Sequence, residues 1–589
     1  MGYLRNTIQK YITPHDFNVK IKYHSRKIIF NKKFILLIIL LFALFLRLYF
    51  FTGLIHALPQ EDGIYHGHAV AVCKNEFSLL RFKNLSLDYV ADPSETFQFR
   101  FMAYLPTAFF YTIFGINEIT TGMWSLLCSL GSILLVYLFG KEFFDELTGL
   151  IGAFLLAIFP LDILLSTRLL ADTPLMFLMA LSSFLFLRGM KYDDKKQIFV
   201  SGIILGLGYV TKMTAVLAIG LIIILLIFVK IKQKQILARI LSFLGLFLVG
   251  FLIIYFVEGI YLYYATGDFF LRSKIFQTAM FSKYTVPGKD IEKINSLITI
   301  GKIKIIYDPD TFFQHIKTLF GLWQPTLKRE IINYFGYFYY LVFPAVAIFL
   351  YEKYKKPKNN KAFFQYFFIL WLFILFLYLE FGFLKIDINN GFLRYFMLFK
   401  APRFLAIITI PSILFLAWTI NPKNLLSFFK KTKPSTYLVT IISVTIIVFL
   451  SFTSIYYTAR SHDFLNQSVT DFKEAYNFIK KYPKYRVYAD PDVSEMLQYY
   501  SGYERKNIYP LTENQTILNG SIVILGGMRS IDIDPEIILK YTPRQLTPII
   551  TNDYVLDGWI LIKKIDRDPF GIRVYDMKIF LLEKDYQIT

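Results

Sequence analysis

The chain has 589 residues, of which 55% are hydrophobic and 18% aromatic, and its mean hydropathy is +0.47. This excludes an ordinary soluble protein, because runs such as FILLIILLFALFLRLYFF and AVLAIGLIIILLIFV are long enough, or nearly so, to cross about 30 Å of hydrocarbon as helices. The net charge of +21 does not point to nucleic acid, because Lys and Arg gather in short loops at alternate ends of the apolar runs and form no basic stripe interleaved with stacking aromatics.

Residues 1–33 are basic, with Asp16 as the single acid, and no cleavage site follows the first apolar run. A retained first helix is expected. About eleven spanning helices are predicted, at 34–54, 119–140, 147–165, 173–189, 198–211, 213–230, 237–263, 334–351, 362–380, 402–420 and 436–457. The apolar stretch 101–115 is placed on the outer surface, because counting it as a span breaks the alternation of charge. With the N-terminus inside, the inner loops carry Lys141, Lys191, Lys195, Lys196, Lys232, Lys234 and the basic stretches YEKYKKPKNNK and NPKNLLSFFKKTKP. Outer segments then fall at 55–118, at 264–333 and after 458.

The last part changes character. DFKEAYNFIKKY has amphipathic helical spacing, VSEMLQYYSGY reads as a helix ending at Gly502, and YRVYAD, SIVILGG and WILIKKI read as short strands. The expected fold is a polytopic α-helical membrane protein with a small soluble C-terminal α/β domain. Its divisions are a basic cytoplasmic segment at 1–33, a membrane domain at 34–457 and an extracytoplasmic domain at 458–589 in the cell membrane. Cys73 and Cys128 are the two cysteines, and Cys128 lies inside an apolar run, so no disulfide is expected.

Ionisable residues recur at the outer ends of the spans. LPQEDGIYHGHAV brings Glu61 and Asp62, STRLLADTPL brings Arg168 and Asp172, YVTKMTAV brings Lys212, and FLRYFMLFKAPRFL brings Arg394, Lys400 and Arg403. Charged groups beside hydrocarbon are costly and persist where they line a wet cavity or meet opposite charge. Carboxylates facing fixed cations suit one chemistry well. The cations hold the phosphate of a lipid, and a carboxylate takes the proton of an attacking hydroxyl.

The order of these features resembles the glycosyltransferase C superfamily, in its protein O-mannosyltransferase-like and aminoarabinose-lipid A transferase-like branch (family 39-type). EDGIYHGHA, with Glu61, Asp62, Tyr65 and Ala69, is similar to the branch's acidic motif. The stretch from RFMAYLPTAFF to LLADTPLMF is similar to its next helices and second acidic site. GLGYVTKMTA resembles its Lys-bearing turn, and FKAPRFLAIITIP resembles its late Arg-bearing helix start. The resemblance covers roughly 34–457.

It implies a membrane fold of that superfamily and an inverting enzyme. The donor would be a polyprenyl- or dolichyl-phosphate sugar, the acceptor a hydroxyl on a protein, lipid or glycan, and the tail would lie among membrane lipids. Asp62 would be the base, with Glu61 second, since the branch usually reads Asp then Glu and this chain reverses them. Lys212, Arg403, Lys400 and Arg394 would hold the donor phosphate; Tyr65, Arg168 and Asp172 would contact donor or acceptor.

Plainer readings stand beside these. Glu61 and Asp62 can be a solvated loop, Asp172 a helix cap before Pro174, and Arg394, Lys400 and Arg403 interface anchors. A divalent metal held by Glu61, Asp62 and His66 is a minority reading, and no other cofactor is implied. Rival functions are a flippase of lipid-linked sugars and an oligosaccharide ligase or polymerase with a diphosphate donor. A flippase predicts inverted repeats and broken helices near mid-membrane, and the sequence has no such repeat.

Overall fold

A computed structural model describes residues 31–55, 61–74, 99–233, 237–275, 304–306, 334–355, 362–381, 392–394, 402–428, 435–512, 514–526, 546, 556–565 and 577–588. They form a mostly helical membrane protein with a mixed sheet at the C-terminus.

The chain opens with α1 (Lys32–Tyr49), α2 (Glu61–Cys73) and α3 (Phe101–Phe114). Next come α4 (Glu118–Phe143), α5 (Glu146–Ala157), α6 (Pro160–Leu165), α7 (Asp172–Tyr192), α8 (Lys195–Thr211), α9 (Leu217–Gln233) and α10 (Leu237–Thr266). After the short strand β1 (Lys304–Ile306) follow α11 (Phe338–Lys355), α12 (Ala362–Phe381), β2 (Phe392–Arg394), α13 (Ala406–Ile420) and α14 (Pro422–Phe428). Among the described residues, five helical segments are long and apolar enough to cross a membrane: α4, α7, α10, Arg403–Ile420 and Thr436–Asn466. The expected surface stretch at 101–115 is the helix α3, which packs against α2 and α4.

The span expected at 147–165 is broken. Pro160 opens α6 at its first position, where a missing N–H removes no helical bond. The break leaves carbonyls of α5 without helical partners, and Arg47 of α1 supplies them, donating to Ala157 O at 3.0 Å and Leu156 O at 3.4 Å. The same fully buried guanidinium pairs with Asp162 and donates to Ser129 Oγ at 2.6 Å. One ion pair thereby fastens α1, α4 and the α5–α6 elbow.

Helix α13 is buried along nearly its whole length, against α5, α7, α11 and α12. Helix α8 lies between α7 and α10. Its contact with α10 is backbone-close: a Cβ on Gly202 would meet Phe247 O at 2.0 Å, and one on Gly250 would meet Phe199 O at 2.3 Å. Small residues at such crossings let membrane helices approach where no hydrophobic effect drives them together. The opposite side of α10 exposes Val249, Phe256, Val257 and Ile260, a face suited to lipid.

Helix α15 (Thr436–Ile479) is a single rod of 44 residues, about 66 Å at 1.5 Å per residue. A span ending at 457 and a separate amphipathic helix were expected there. The stretch between them contains neither Gly nor Pro, so nothing interrupts the backbone ladder.

The rod leads into β3 (Val487–Ala489), α16 (Pro491–Tyr500), β4 (Ile508–Pro510), β5 (Thr516–Ile517), β6 (Ile522–Leu525), β7 (Trp559–Ile565), β8 (Met577–Leu582) and β9 (Tyr586–Gln587). The main sheet has the order β4-β3-β6-β8-β7, parallel across β4, β3 and β6 and antiparallel across β6, β8 and β7. Its core joins Val487, Ile524 and Ile579 to Val469 and Ile479 of α15, to Met496 and Leu497 of α16, and to Leu54 from the segment after α1. The C-terminal domain is thus seated on the end of the bundle where α2 begins.

Candidate active site

Two helices begin with carboxylates at one end of the bundle. Glu61 and Asp62 open α2, and Asp172 opens α7, where the helix dipole favours negative charge. The segment before α7 is held close to α4. A Cβ on Gly122 would meet Thr167 O at 2.4 Å, and Ser125 Oγ donates to Arg168 O at 2.7 Å.

Four cations meet these acids. Glu61 Oε1 accepts from Tyr65 OH at 2.7 Å and pairs with Arg100, while Oε2 lies 2.6 Å from Arg403 Nη2. Asp62 Oδ2 accepts from the Ile55 N–H and from Arg168 Nη2, each at 3.3 Å. Asp172 Oδ1 accepts from Lys212 Nζ at 2.7 Å, and its Oδ2 lies 3.9 Å from Arg403 Nε. Arg403 therefore bridges two acids that stand 111 positions apart in sequence (172 − 61 = 111). Its 3₁₀ turn, Pro402–Leu405, also sets Phe404 against Lys212, whose Nζ is 4.6 Å from the ring centre.

All three carboxylates are buried. Burial alone would raise the Glu61 carboxyl, but Arg403, Arg100 and Lys212 outweigh it and hold it well below the ordinary carboxylate range. Both Glu61 oxygens are committed to donors. Asp172 differs: its Oδ2 is buried and, like Arg168 Nε, has no hydrogen-bond partner among the described residues. An acceptor and a donor in the same cluster thus make no hydrogen bond among the described residues, an arrangement that suits a polar ligand. Arg100, Arg168, Lys212 and Arg403 against Glu61, Asp62 and Asp172 give 4 − 3 = +1 among the described residues.

The residues singled out in the sequence divide as follows. Glu61, Asp62, Tyr65, Arg168, Asp172, Lys212 and Arg403 converge in this cluster. Arg394 lies on β2, in register with Ile306 of β1, and Lys400 falls outside the described residues, as does most of 264–333. Arg100 was missed, although it is one more cation directly before an apolar helix on the side expected to be outer. The metal reading places His66 beside Glu61 and Asp62. Its ring is instead engaged by tyrosines, Nδ1 with Tyr111 OH at 2.8 Å and Nε2 with Tyr503 OH at 2.9 Å. Among the described residues no three His, Cys, Asp or Glu side chains gather as a metal site would need.

Residues 101–257 match the model of the dolichyl-phosphate-mannose-protein mannosyltransferase family. Over this stretch, a little over a quarter of its length, the chain is similar to that family. The resemblance drawn from the sequence agrees with this match over 101–257. Arg168, Asp172 and Lys212 lie inside the mannosyltransferase-family stretch; Glu61, Asp62, Tyr65 and Arg403 lie outside it and are brought to it by the fold.

Among curated proteins none matches the chain. Among solved structures, it is similar to ArnT from Cupriavidus metallidurans bound to undecaprenyl phosphate, at 12% identity and TM-score 0.48, covering 92% of this chain and 97% of that one. The apo state of the same ArnT aligns at 10% identity and TM-score 0.47 over the same shares, 92% and 97%. The apo oligosaccharyltransferase of Archaeoglobus fulgidus aligns at 12% identity and TM-score 0.46, over 82% of this chain and 64% of that one. The chain thus spans just under two thirds of the oligosaccharyltransferase.

Proposed function

We propose that the protein transfers a sugar from a polyprenyl- or dolichyl-phosphate donor to an acceptor hydroxyl, at the extracytoplasmic face and with inversion. The observation that carries this reading is the cluster of three acids and four cations beside apolar helices, which among the described residues has a charge balance of +1 and two buried polar atoms without a hydrogen bond. A sugar–phosphate–lipid carries a single negative charge on its phosphodiester, so it neutralises the cluster. A diphosphate donor, with two charges, would exceed the balance of the described residues.

In this reading Arg403, Lys212 and Arg100 take the donor phosphate. Arg supplies a planar fork for two oxygens and Lys a point charge. Asp62 is the base. Glu61 is a poor one, since both its oxygens already accept from donors and its carboxyl is held strongly ionised. The acceptor proton passes to Asp62 as the acceptor oxygen bonds to the anomeric carbon. The bond from that carbon to the phosphate oxygen breaks, and its electron pair leaves with the phosphate. Attack opposite the leaving group inverts the centre in one step. The phosphate departs as a stable anion, so fixed positive charge matters more than a general acid. Asp172, through the Oδ2 that makes no hydrogen bond among the described residues, orients a hydroxyl of sugar or acceptor.

The topology that goes with this places about eleven spans between a cytoplasmic segment at 1–33 and an extracytoplasmic domain at 458–589 in the cell membrane. The acceptor enters between the segments 55–118 and 264–333. Purified protein in liposomes, given labelled polyprenyl-phosphate and polyprenyl-diphosphate sugars in parallel, tests the donor class. Consumption of monophosphate donors alone is expected, and consumption of diphosphate donors alone sinks the reading.

A further inference from the structure

Helix α2 carries a second constellation that the transfer chemistry does not use. His66 is fully buried, four residues after Asp62 and so on the same face of the helix. Its Nδ1 is 2.8 Å from Tyr111 OH of α3 and its Nε2 is 2.9 Å from Tyr503 OH of the C-terminal domain. The Tyr499 ring packs edge-on against it at 4.8 Å, and the Tyr503 ring stacks on it at 5.8 Å. Tyr111 OH and Tyr499 OH both meet Thr121 Oγ1 of α4, at 2.8 and 2.9 Å.

One arrangement of protons satisfies every member. Thr121 Oγ1 donates to Asn117 O at 2.8 Å, so it accepts from Tyr111 OH and Tyr499 OH. Tyr111 OH has then given its proton away and accepts from His66 Nδ1–H. Nε2 is left as the acceptor for Tyr503 OH. The imidazole is neutral, and its tautomer is fixed by the network.

A second observation points the same way. Tyr503 has φ +61°, the left-handed region that a bulky residue rarely occupies, directly after Gly502 at φ +64°. Such a conformation persists only where its surroundings hold it. Here the turn is pressed against the α3–α4 junction, with Ile116 O 3.4 Å from a Cβ built on Gly502. Ring packing alone would be met by phenylalanine. The hydroxyls are what tie the C-terminal domain to the helix bearing Glu61 and Asp62.

We propose that Tyr499 and Tyr503 are positioning residues of the transfer site: by engaging His66 directly and through Thr121, they hold α2 so that its carboxylates meet Arg100, Arg168 and Arg403. The C-terminal domain is thereby a working part of the site. This rests on the transferase reading for its functional meaning, while the latch itself is testable without turnover.

Cys73 supplies the probe. It ends α2 and is half-buried, whereas Cys128, the other cysteine, is fully buried. Full-length wild type, Y503F and Y499F in liposomes are compared for the labelling rate of Cys73 by a soluble maleimide at fixed pH. They are also compared for initial transfer rates from the polyprenyl-phosphate sugar that the wild type consumes. Each Tyr→Phe change removes one hydroxyl and keeps the ring. Labelling of Cys73 is expected to quicken by roughly 5- to 10-fold, the weight of one lost hydrogen bond. The kcat is expected to fall about tenfold or more with the donor KM within about twofold, since small misplacements of a base are costly to turnover. Tyr509→Phe, an exposed tyrosine of the same domain, should leave both unchanged. Unchanged labelling in Y503F and Y499F overturns the latch. Faster labelling with unchanged kcat overturns its positioning role. If the wild type consumes no lipid-phosphate sugar, the transferase reading fails, and the labelling arm still decides the latch.

Discussion

Arg403→Gln removes the one guanidinium that bridges Glu61, at 2.6 Å, and Asp172, at 3.9 Å. The cluster's balance drops from 4 − 3 = +1 to 3 − 3 = 0 among the described residues, so the phosphodiester of a donor no longer finds a surplus positive charge. The acids keep partners, because Glu61 retains Arg100 and Tyr65 and Asp172 retains Lys212. The substitution should therefore weaken lipid binding without unfolding the site. A charge-assisted hydrogen bond contributes about 1.5–3 kcal/mol, which corresponds to a rise in Kd of roughly 10- to 150-fold. Arg403→Lys keeps the charge and loses the fork, so it should fall between wild type and Gln. The assay is equilibrium binding of polyprenyl phosphate and of a polyprenyl-phosphate sugar to purified protein in nanodiscs. The free phosphate, with more charge, should suffer more than the sugar ester. A Kd unchanged in Arg403→Gln, in protein that still melts normally, would show that this guanidinium only fastens helices.

Further outcomes follow from the same geometry. Asp62→Asn should lower turnover by roughly 10² to 10⁴ with donor binding nearly intact, the range for general-base assistance, whereas Glu61→Gln should act mainly on donor KM; the reverse pattern in initial-rate kinetics would move the base one residue back. Burial holds His66 near a pKa of about 3 against 6.5 when unfolded, despite the opposing pull of Asp62 and with Lys74 adding to the shift. Its contribution is complete above pH 6.5 and is lost progressively as pH falls toward 3, where the unfolded chain binds a proton that the folded one refuses; melting curves at pH 7.5 and 5 should show a larger drop for wild type than for His66→Gln. Lys506, exposed on the C-terminal domain, should react as Lys506→Cys with an impermeant maleimide in intact cells, in a Cys73→Ser background, and labelling only after lysis would invert the topology.

The sequence revealed much of this cluster for a physical reason. Charged residues are expensive beside hydrocarbon, so Asp172, Lys212 and Arg403 stand out against their neighbours in the bare chain. Arg100 did not stand out, because its meaning depends on Glu61 and Tyr65 lying within reach across a segment with no readable periodicity. The role of His66 was not readable at all, since its partner Tyr503 is 437 positions away and belongs to another domain. Helix ends were only partly legible. Pro160 marks a break that hydropathy smooths over, and α15 runs on past its apolar part because nothing in the sequence stops it. Pairs such as Arg47 with Asp162 were equally hidden, each being one charge within a predicted span and explained only by the other.

The most direct measurement follows the lipid. Purified wild-type protein in liposomes, with a labelled polyprenyl-phosphate sugar and a mixture of membrane acceptors, is stopped during the first turnovers and its products are separated. The account predicts one polyprenyl phosphate released for each sugar transferred, the new glycosidic bond having the opposite anomeric configuration to the donor, with both products absent in Asp62→Asn over the same interval. Sugar still joined to its lipid but moved to the other leaflet, or release of polyprenyl diphosphate, would contradict it.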